Sequence, residues 1–307
     1  MEPSSLLRAI EQRDAVMVTL LLDRGADVDS EDLAGDYPLH WVSCMNNVDM
    51  ATLLLDRGAY VNCVNADDET PLHCVARTGG VGMATLLLDR GVYINYRRDN
   101  GETALHEAIR KGDPDMLTLL IDRGVEINGR NLQGETALQW AVEERDTDMV
   151  TLLLDRGADV NAADRWGRTP LFYAIEKENV GMGTLLLSRG ANVHCRQERG
   201  ETALHWAIRR GDPELATLLI DRGVEVNCHN RQGETALHWA AKERGTDMAT
   251  LVLDRGADVN VVDKKGRTPL FYAVEKEKGD MITLLLDRGA RAQAPCSSQQ
   301  NGSEPRL

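Results

Sequence analysis

A period of 33 residues runs through almost the whole chain and limits what the chain can fold into. A leucine that opens a helical pattern and a glycine that follows an arginine both return at this spacing, nine times each, without an insertion. The leucines are Leu6, Leu39, Leu72, Leu105, Leu138, Leu171, Leu204, Leu237 and Leu270, and the glycines are Gly25, Gly58, Gly91, Gly124, Gly157, Gly190, Gly223, Gly256 and Gly289. A repeat of this size cannot bury its apolar face alone, so consecutive repeats must stack, each against its neighbours.

The seventh repeat illustrates the local structure that the pattern predicts. Leu204, Ala207 and Ile208 have the i, i+3, i+4 spacing of a buried helix face. Asp212, which precedes a proline, is suited to cap the start of a second helix. Gly223 is suited to the left-handed conformation that ends that helix. The sequence therefore predicts an all-α chain of paired short helices, whose function lies along an extended surface.

Composition narrows the classes of function. The formal net charge of -14 argues against a chain that coats nucleic acid or an anionic membrane. No apolar run approaches the ~18 to 20 residues of a membrane span, and the first residues lack the pattern of a secretory signal. Six cysteines without C-x-x-C spacing fit a reducing compartment. We therefore expect a soluble monomer in the cytoplasm or the nucleus.

A short motif opens the first helix of most repeats. It is intact in ETPLHCVA at 69–76 and varied in YPLHWV at 37–42 and TALHWA at 202–207. At a period of 33 residues these motifs resemble the ankyrin repeat family over about residues 4 to 290. The resemblance implies an all-α ankyrin-repeat solenoid of stacked helix-turn-helix units with short hairpin-like connectors.

The predicted domain boundaries follow from the period. The ankyrin repeat domain is expected to span residues 1–290. Its nine repeats fall at about 4–36, 37–69, 70–102, 103–135, 136–168, 169–201, 202–234, 235–267 and 268–290. The remaining segment, 291–307, is polar and rich in Pro, Ser and Gln, and we expect it to be a disordered tail.

Five histidines occupy the histidine position of the motif. They are His40, His73, His106, His205 and His238. Equivalent positions on stacked helices lie ~8–10 Å apart, too far to share a metal ion whose ligands stand about 2 Å away. We expect these histidines to form structural bonds within the turn. No nucleophile–base pair, Walker loop or G-x-G-x-x-G motif is present, so we predict no catalytic residue, metal or cofactor.

Several repeats lack the glycine that follows the first helix elsewhere. The residues that replace it are Asn46, Arg145, Glu178, Arg244 and Glu277. A residue with a Cβ atom adopts a left-handed backbone with difficulty. We therefore expect these turns to be looser or shifted in register.

Aromatic residues recur at the position after the motif histidine. Five consecutive repeats have one there, namely Trp140, Tyr173, Trp206, Trp239 and Tyr272. At ~100° per residue this position points away from the buried face of the first helix. The resemblance implies that the first helices and hairpin tips line a concave groove where partners dock. The alternative is that the rings pack sideways between first helices and only widen the core.

Charge divides the predicted groove into two halves. The positions that the resemblance places in the groove are the hairpin tips and the two residues that end each first helix. They have three basic and nine acidic side chains in repeats one to five, but twelve basic and six acidic ones in repeats six to nine. The basic residues that we predict to contact a partner are Arg165, Arg168, Arg209, Arg210, Lys242, Lys264, Lys265 and Arg267. The sequence therefore predicts a non-enzymatic scaffold that binds an extended acidic and apolar protein segment along its C-terminal half.

Two other functions use the same features. Aromatic rings beside arginines also suit a nucleotide or single-stranded RNA, although the net charge disfavours nucleic acid. An adaptor that presents clients to a ubiquitin ligase is the second alternative, although the C-terminal segment is too short for a docking box.

The resemblance implies one further partner, an asparaginyl hydroxylase. Ankyrin repeats are commonly hydroxylated at an Asn in the pattern Leu-x5-Asp/Glu-Val/Ile-Asn. The candidate sites are Asn128, Asn161, Asn227 and Asn260. A hairpin Asn that bonds its own backbone explains the same residues.

Overall fold

The computed structural model describes residues 5–243 and 245–291, which form eighteen helices. In these ranges the only strand-like pairings are three isolated bridges, at Arg130 and Thr136, Arg196 and Thr202, and His229 and Thr235. The predicted all-α class is confirmed. No helix in the described ranges has the length and apolar character that crossing a membrane requires. The turn at Arg244 and the expected disordered tail, apart from Arg291, lie outside the described residues.

The chain divides into two compact units, Met1–Arg165 and Trp166–Leu307. In the first unit the helices are α1 (Ser5–Glu11), α2 (Ala15–Asp23), α3 (Pro38–Cys44), α4 (Val48–Asp56), α5 (Pro71–Thr78), α6 (Val81–Asp89), α7 (Ala104–Lys111), α8 (Pro114–Asp122), α9 (Ala137–Glu143) and α10 (Thr147–Asp155). In the second unit they are α11 (Pro170–Glu176), α12 (Val180–Ser188), α13 (Ala203–Arg210), α14 (Pro213–Asp221), α15 (Ala236–Glu243), α16 (Thr246–Asp254), α17 (Pro269–Glu275) and α18 (Gly279–Asp287). Odd-numbered helices are the first helices of their repeats and even-numbered helices the second.

Within each unit the helices stack repeat upon repeat. Each first helix packs against the second helix of its own repeat and against the next first helix, and consecutive second helices also pack together. Leu204, Ala207 and Ile208 are buried, as their spacing predicts. The methionines at the start of the second helices are also buried where the structure describes them, except Met17, which is 45% exposed.

Local capping sets the ends of the helices. Asp113 and Asp212 each accept a hydrogen bond at 2.9 Å from the backbone N–H three residues later, and each is followed by a proline at the first helical position. Both features satisfy or remove backbone donors that a helix start leaves unpaired. Gly223 has φ of 89°, the left-handed conformation expected after the second helix.

The turns without glycine keep the glycine conformation. Asn46, Arg145, Glu178 and Glu277 have φ between 50° and 63°, in the left-handed region. The expectation of looser or shifted turns is therefore wrong at these four positions. Packing of each second helix against the first helix of its own repeat fixes where the second helix begins, so the residue between them adopts a backbone that costs about 1–2 kcal/mol.

Three of the motif histidines, His40, His205 and His238, join consecutive repeats through Nε2. In the seventh repeat, Nδ1 of His205 accepts from the backbone N–H of Thr202 at 3.2 Å and lies 2.8 Å from its hydroxyl. The opposite ring nitrogen, Nε2, lies 3.0 Å from the carbonyl oxygen of Glu234 in the next repeat. The predicted bond within the turn is present, and a second bond to the next repeat accompanies it. This arrangement requires a neutral ring with its proton on Nε2.

Two glycines in the second unit provide a matched test of close stacking. Gly223 and Gly233 both have positive φ, at 89° and 83°. A Cβ atom on Gly223 would meet nothing within 4 Å, whereas one on Gly233 would lie 2.7 Å from the backbone N of Lys264 in the next hairpin. We expect Gly223→Ala to cost about 1–2 kcal/mol of unfolding free energy and Gly233→Ala about 3 kcal/mol or more. Urea unfolding measures both losses, and equal losses would show that the hairpins are not in close contact.

Candidate functional site

The aromatic position of each first helix lies beside the preceding first helix. In the second unit, Arg209 of α13 stands over the ring of Trp239 on α15 at 5.5 Å. Lys242 of α15 stands over the ring of Tyr272 on α17 at the same distance. In both cases the cation is five residues after the repeat leucine and the ring is two residues after the next repeat leucine. Cation–π contacts therefore join consecutive first helices.

The predicted orientation of the aromatic side chains is wrong for three of the five. Tyr173, Trp239 and Tyr272 are 3%, 9% and 2% exposed, while Trp140 and Trp206 are partly buried. A helical wheel treats the helix as isolated, but the preceding first helix stands ~10 Å away, and the rings of Trp239 and Tyr272 lie between the two helices. The alternative of sideways packing accounts for these two rings, and the ring of Tyr173 is covered by Arg168.

Edge contacts fix these rings in place. The rings of Trp239 and Tyr272 meet the motif histidines of the preceding repeats, His205 and His238, at centroid distances of 6.2 and 5.9 Å in T-shaped geometry. In the first unit Trp140 meets His106 in the same way at 5.2 Å. Such contacts contribute about 0.5–1.5 kcal/mol beyond burial alone. The aromatic positions therefore stabilise the stack.

Carboxylates hold the polar atoms of the rings. Tyr272 donates to Asp263 at 2.8 Å, and burial together with this bond raises the pKa of the phenol. Burial of Asp263 favours its neutral form, but the hydrogen bonds from Arg267 and Tyr272 prevail and lower its pKa to about 2. Trp206 donates to Glu201 at 2.9 Å. The carboxylates of Asp263 and Glu201 are therefore already hydrogen-bonded to these rings.

The predicted basic residues divide into two groups. One group makes contacts within the second unit: Arg267 pairs with Asp263 at 2.7 Å, Arg210 with Glu176 at 3.3 Å, and Arg168 donates to the Tyr173 hydroxyl at 2.9 Å. Lys242, described above, belongs to it as well. In the other group the side chains are exposed to solvent, namely Arg209, Lys264 and Lys265 in the second unit and Arg165 at the end of the first. Arg209 combines both features, because its guanidinium also lies over the rings of Trp206 and Trp239.

A cleft of about 510 Å³ lies in the second unit between two hairpins and α13. It is lined by Trp166, Arg168, Gln197, Glu198, Arg199, Glu201, Trp206 and Arg209. Sequence reasoning placed Arg168, Trp206 and Arg209 at the site but missed the contribution of Trp166, which is 43% exposed. An aromatic residue in a hairpin tip where the other repeats have small, polar or charged residues is the signal that could have revealed it.

Stacked cations and rings form the walls of the cleft. The guanidinium of Arg168 stands 4.8 Å from the ring centre of Trp166 and 4.7 Å from that of Tyr173. On the opposite wall, Arg209 lies 5.8 Å from the ring centre of Trp206. Arg199 is also exposed at the cleft. Flat apolar surface beside positive charge suits a ligand with both apolar and acidic groups.

Arginines of the first unit at related positions are paired with carboxylates. Arg77 contacts Glu69 at 2.5 Å, and Arg98 and Arg110 contact Glu107 at 2.8 and 3.0 Å. Glu69 and Glu107 are buried. Their negative charge neutralises these cations. In the second unit Glu176 pairs with Arg168 at 3.4 Å in the same way, whereas Arg199 and Arg209 are exposed at the cleft.

The candidate hydroxylation residues bridge consecutive repeats. Asn128 accepts from the backbone N–H of Asp159 at 2.8 Å, and Asn227 accepts from that of Asp258 at 2.9 Å. The amide of Asn227 also donates to the carbonyl of Gly256 at 3.1 Å. These asparagines therefore have a structural role, as the alternative of a hairpin Asn that bonds its own backbone expects, but their bonds connect to the next repeat and not to their own hairpin. Asn260 makes equivalent bonds to Gly289 and Arg291, and Asn161 is exposed.

Comparisons with known proteins agree with the fold. A family profile of ankyrin repeats in three copies matches residues 6–98, 95–164, 159–230 and 204–296. The chain belongs to the ankyrin repeat family. Members of this family are typically non-enzymatic modules that bind protein partners, and the matches indicate no catalytic family.

A solved structure supports the same classification. The crystal structure of the ankyrin repeat domain of Bcl-3, described as a unique member of the IkappaB protein family, has a TM-score of 0.66 to this chain. The two share 32% sequence identity, and the match covers 71% of this chain and 99% of that one. No curated protein sequence matches significantly. Because 647 chains of solved structures match, the likeness shows a protein-interaction scaffold without singling out a partner.

Proposed function

We propose that the second unit binds an extended protein segment that contains acidic and apolar residues. The observation that carries this proposal is the cleft in which Trp166 and Trp206 stand beside Arg168, Arg199 and Arg209. Apolar side chains of the partner lie against the exposed parts of the two indoles, and its carboxylates face the arginines. The buried rings act indirectly, because they hold the first helices that position the arginines.

The dimensions of the second unit suit such a ligand. Consecutive first helices stand ~10 Å apart, and an extended or polyproline II chain advances ~3.1–3.3 Å per residue. Every third residue of the ligand therefore meets the next repeat. Lys264 and Lys265, exposed on the last hairpin of the unit, extend the positive surface. Charge sets the association rate and selectivity, and the indoles provide the main contact energy.

A peptide-display selection tests this function. The full chain and its Trp166→Ala/Trp206→Ala variant are screened in parallel, with circular dichroism to verify that both are folded. We expect acidic peptides with regularly spaced apolar residues to be enriched on the wild type alone. Equal enrichment on both proteins would place the binding surface elsewhere.

The same cleft supports a second candidate function, binding of a nucleotide or single-stranded RNA. The observation in its favour is the stacking of Arg168 on Trp166, an arrangement that also accepts a base. The net charge of -14 opposes it. Salt dependence separates the two functions, because nucleic-acid binding weakens steeply with ionic strength. We expect no binding of a fluorescent oligouridylate at physiological salt, and tight, salt-sensitive binding would favour RNA.

An asparaginyl hydroxylase is proposed as a further partner. Asn128 and Asn227 are exposed, but their side-chain amides are bonded to the next repeat. Modification therefore requires local opening of the hairpin, and we expect partial hydroxylation. After coexpression with the enzyme, peptide mass spectra should show a gain of about 16 Da on a minority of these asparagines. Asn227→Gln should lose the gain at its own site alone, and unmodified spectra would contradict the proposal.

A further inference from the structure

Two cysteines occupy a pair of positions that cations and aromatic rings occupy elsewhere. The first position lies five residues after the repeat leucine, and the second lies two residues after the leucine of the next repeat. In the first unit these positions are Arg110 and Trp140, and the guanidinium lies 4.9 Å from the ring centre. In the second and third repeats these positions are Cys44, at the end of α3, and Cys74, on α5. The architecture therefore brings these two thiols together.

The contacts around the pair agree with this placement. Cys44 is exposed and Cys74 is buried, and a hydrogen bond connects their side chains. The sulfur of Cys74 also lies 3.7 Å from a carboxylate oxygen of Glu69 and 3.9 Å from a guanidinium nitrogen of Arg77. Reagents in solution can therefore reach Cys44, whereas Cys74 is buried beside it.

The electrostatic environment activates the exposed member. The hydrogen bond from Cys74 lowers the pKa of Cys44 to about 7, with the charge of Arg77 in support and with burial and Asp36 opposing. The same bond, burial and the nearby Glu69 carboxylate raise the pKa of Cys74 well above its usual range. Cys44 is therefore substantially a thiolate at neutral pH, whereas Cys74 keeps its proton.

We propose that Cys44 and Cys74 are a modification site at which a hydroperoxide converts two thiols into a disulfide between the second and third repeats. The Cys44 thiolate attacks one oxygen of hydrogen peroxide and the O–O bond breaks; a sulfenic acid forms, and the hydroxide that leaves takes a proton from solvent to become water. The Cys74 sulfur then attacks the sulfenic sulfur, the S–S bond forms, and a second water carries away the oxygen and the Cys74 proton. Two thiols are oxidised and one peroxide is reduced.

The other cysteines that the structure describes are poorer nucleophiles. Burial raises the pKa of Cys63 to about 12, and burial also raises the pKa values of Cys195 and Cys228. At neutral pH their thiolate fractions are small. Among these cysteines, oxidation should therefore begin at Cys44, on the order of tenfold faster than at Cys228.

Mass spectrometry of the peroxide-treated full chain tests the proposal. After free thiols are alkylated, trypsin releases peptides 25–57 and 58–77, which contain Cys44 and Cys74. We expect the two peptides to be joined, about 2 Da lighter than their sum, and separated by reductant. Because peptide 58–77 also contains Cys63, the Cys63→Ala variant is the matched control and should keep the link.

Two single variants decide the assignment. Cys44→Ser changes an exposed residue and should remain folded without forming the link, and Cys74→Ser should leave Cys44 to gain oxygen atoms instead. A link that is lost in Cys63→Ala but kept in Cys74→Ser would overturn the pairing. Wild-type protein that accumulates oxygen on Cys44, or leaves it reduced, without any link would overturn the proposal.

Discussion

Lowering the pH from about 7.5 to about 5 is expected to remove on the order of 6 kcal/mol of unfolding free energy. Burial lowers the pKa of His73, His106 and His205 to about 4 in the folded protein, from an ordinary value of 6.5. Between these values the unfolded chain binds protons that the folded chain does not, so stability is complete above about pH 6.5 and falls as the pH decreases. At pH 5 each histidine accounts for about 2 kcal/mol, since one pKa unit corresponds to about 1.4 kcal/mol.

Burial is the main cause of this sensitivity, and the direction of the hydrogen bonds acts in the same sense. Nδ1 of each histidine accepts from the backbone N–H of the preceding threonine, as for Thr70, Thr103 and Thr202. Protonation would turn that acceptor into a donor that faces another donor. Because every motif histidine is buried at a junction between repeats, acid should weaken several junctions together.

The fifth repeat supplies the control. Gln139 stands at the histidine position, accepts from Thr136 N–H at 2.7 Å and donates to the carbonyl of Ala162 at 3.3 Å. A triple variant with Gln at positions 73, 106 and 205 should therefore stay folded and lose most of the pH dependence. Urea unfolding at about pH 7.5 and pH 5 gives the change in unfolding free energy between these pH values for the wild type and for the variant. Both pH values lie above the range where most carboxylates titrate. An unchanged acid sensitivity in the triple variant would assign it to other groups.

Reversing one charge in the cleft is expected to weaken binding of a display-selected acidic peptide by on the order of 30-fold, about 2 kcal/mol. Arg209→Glu replaces an exposed cation at the cleft with an anion that repels the ligand. Arg222→Glu makes the same change in net charge on an exposed residue at the end of α14, away from the cleft lining. Titration calorimetry should show little change for this control. Equal losses of affinity in both variants would show that the net charge of the protein, and not the cleft, determines binding.

The local sequence predicts what is decided within one repeat. The 33-residue period, the Asp212 cap and the burial of Leu204 all follow from residue types and spacing, and the structure agrees. The orientation of Trp239 and Tyr272 did not follow, because it depends on a helix 33 residues earlier. The left-handed backbone of Glu178 was missed for a similar reason, since packing of whole helices prevails over the preference of one residue.

Relations between repeats account for what was missed at the candidate sites. Trp166 joins the cleft because the hairpin tip lies over the next hairpin, as the hydrogen bond of 2.6 Å from Glu198 N to the Trp166 carbonyl shows. Cys44 and Cys74 meet because the residue five after the leucine of one repeat faces the residue two after the leucine of the next repeat. Neither relation has a counterpart in a single helical wheel. The boundaries of the nine repeats and the role of the basic residues stay predictions.

Oxidative footprinting of the full chain with and without a saturating display-selected peptide tests whether the cleft of the second unit is the binding surface. Trp166 is exposed at the cleft, while Tyr60 and Tyr93, exposed in the first unit, serve as internal standards in the same sample. We expect the peptide to slow modification of Trp166 severalfold and to leave modification of both tyrosines unchanged. Protection of Tyr60 or Tyr93 with Trp166 unaffected would contradict this expectation and place the binding surface in the acidic half of the chain.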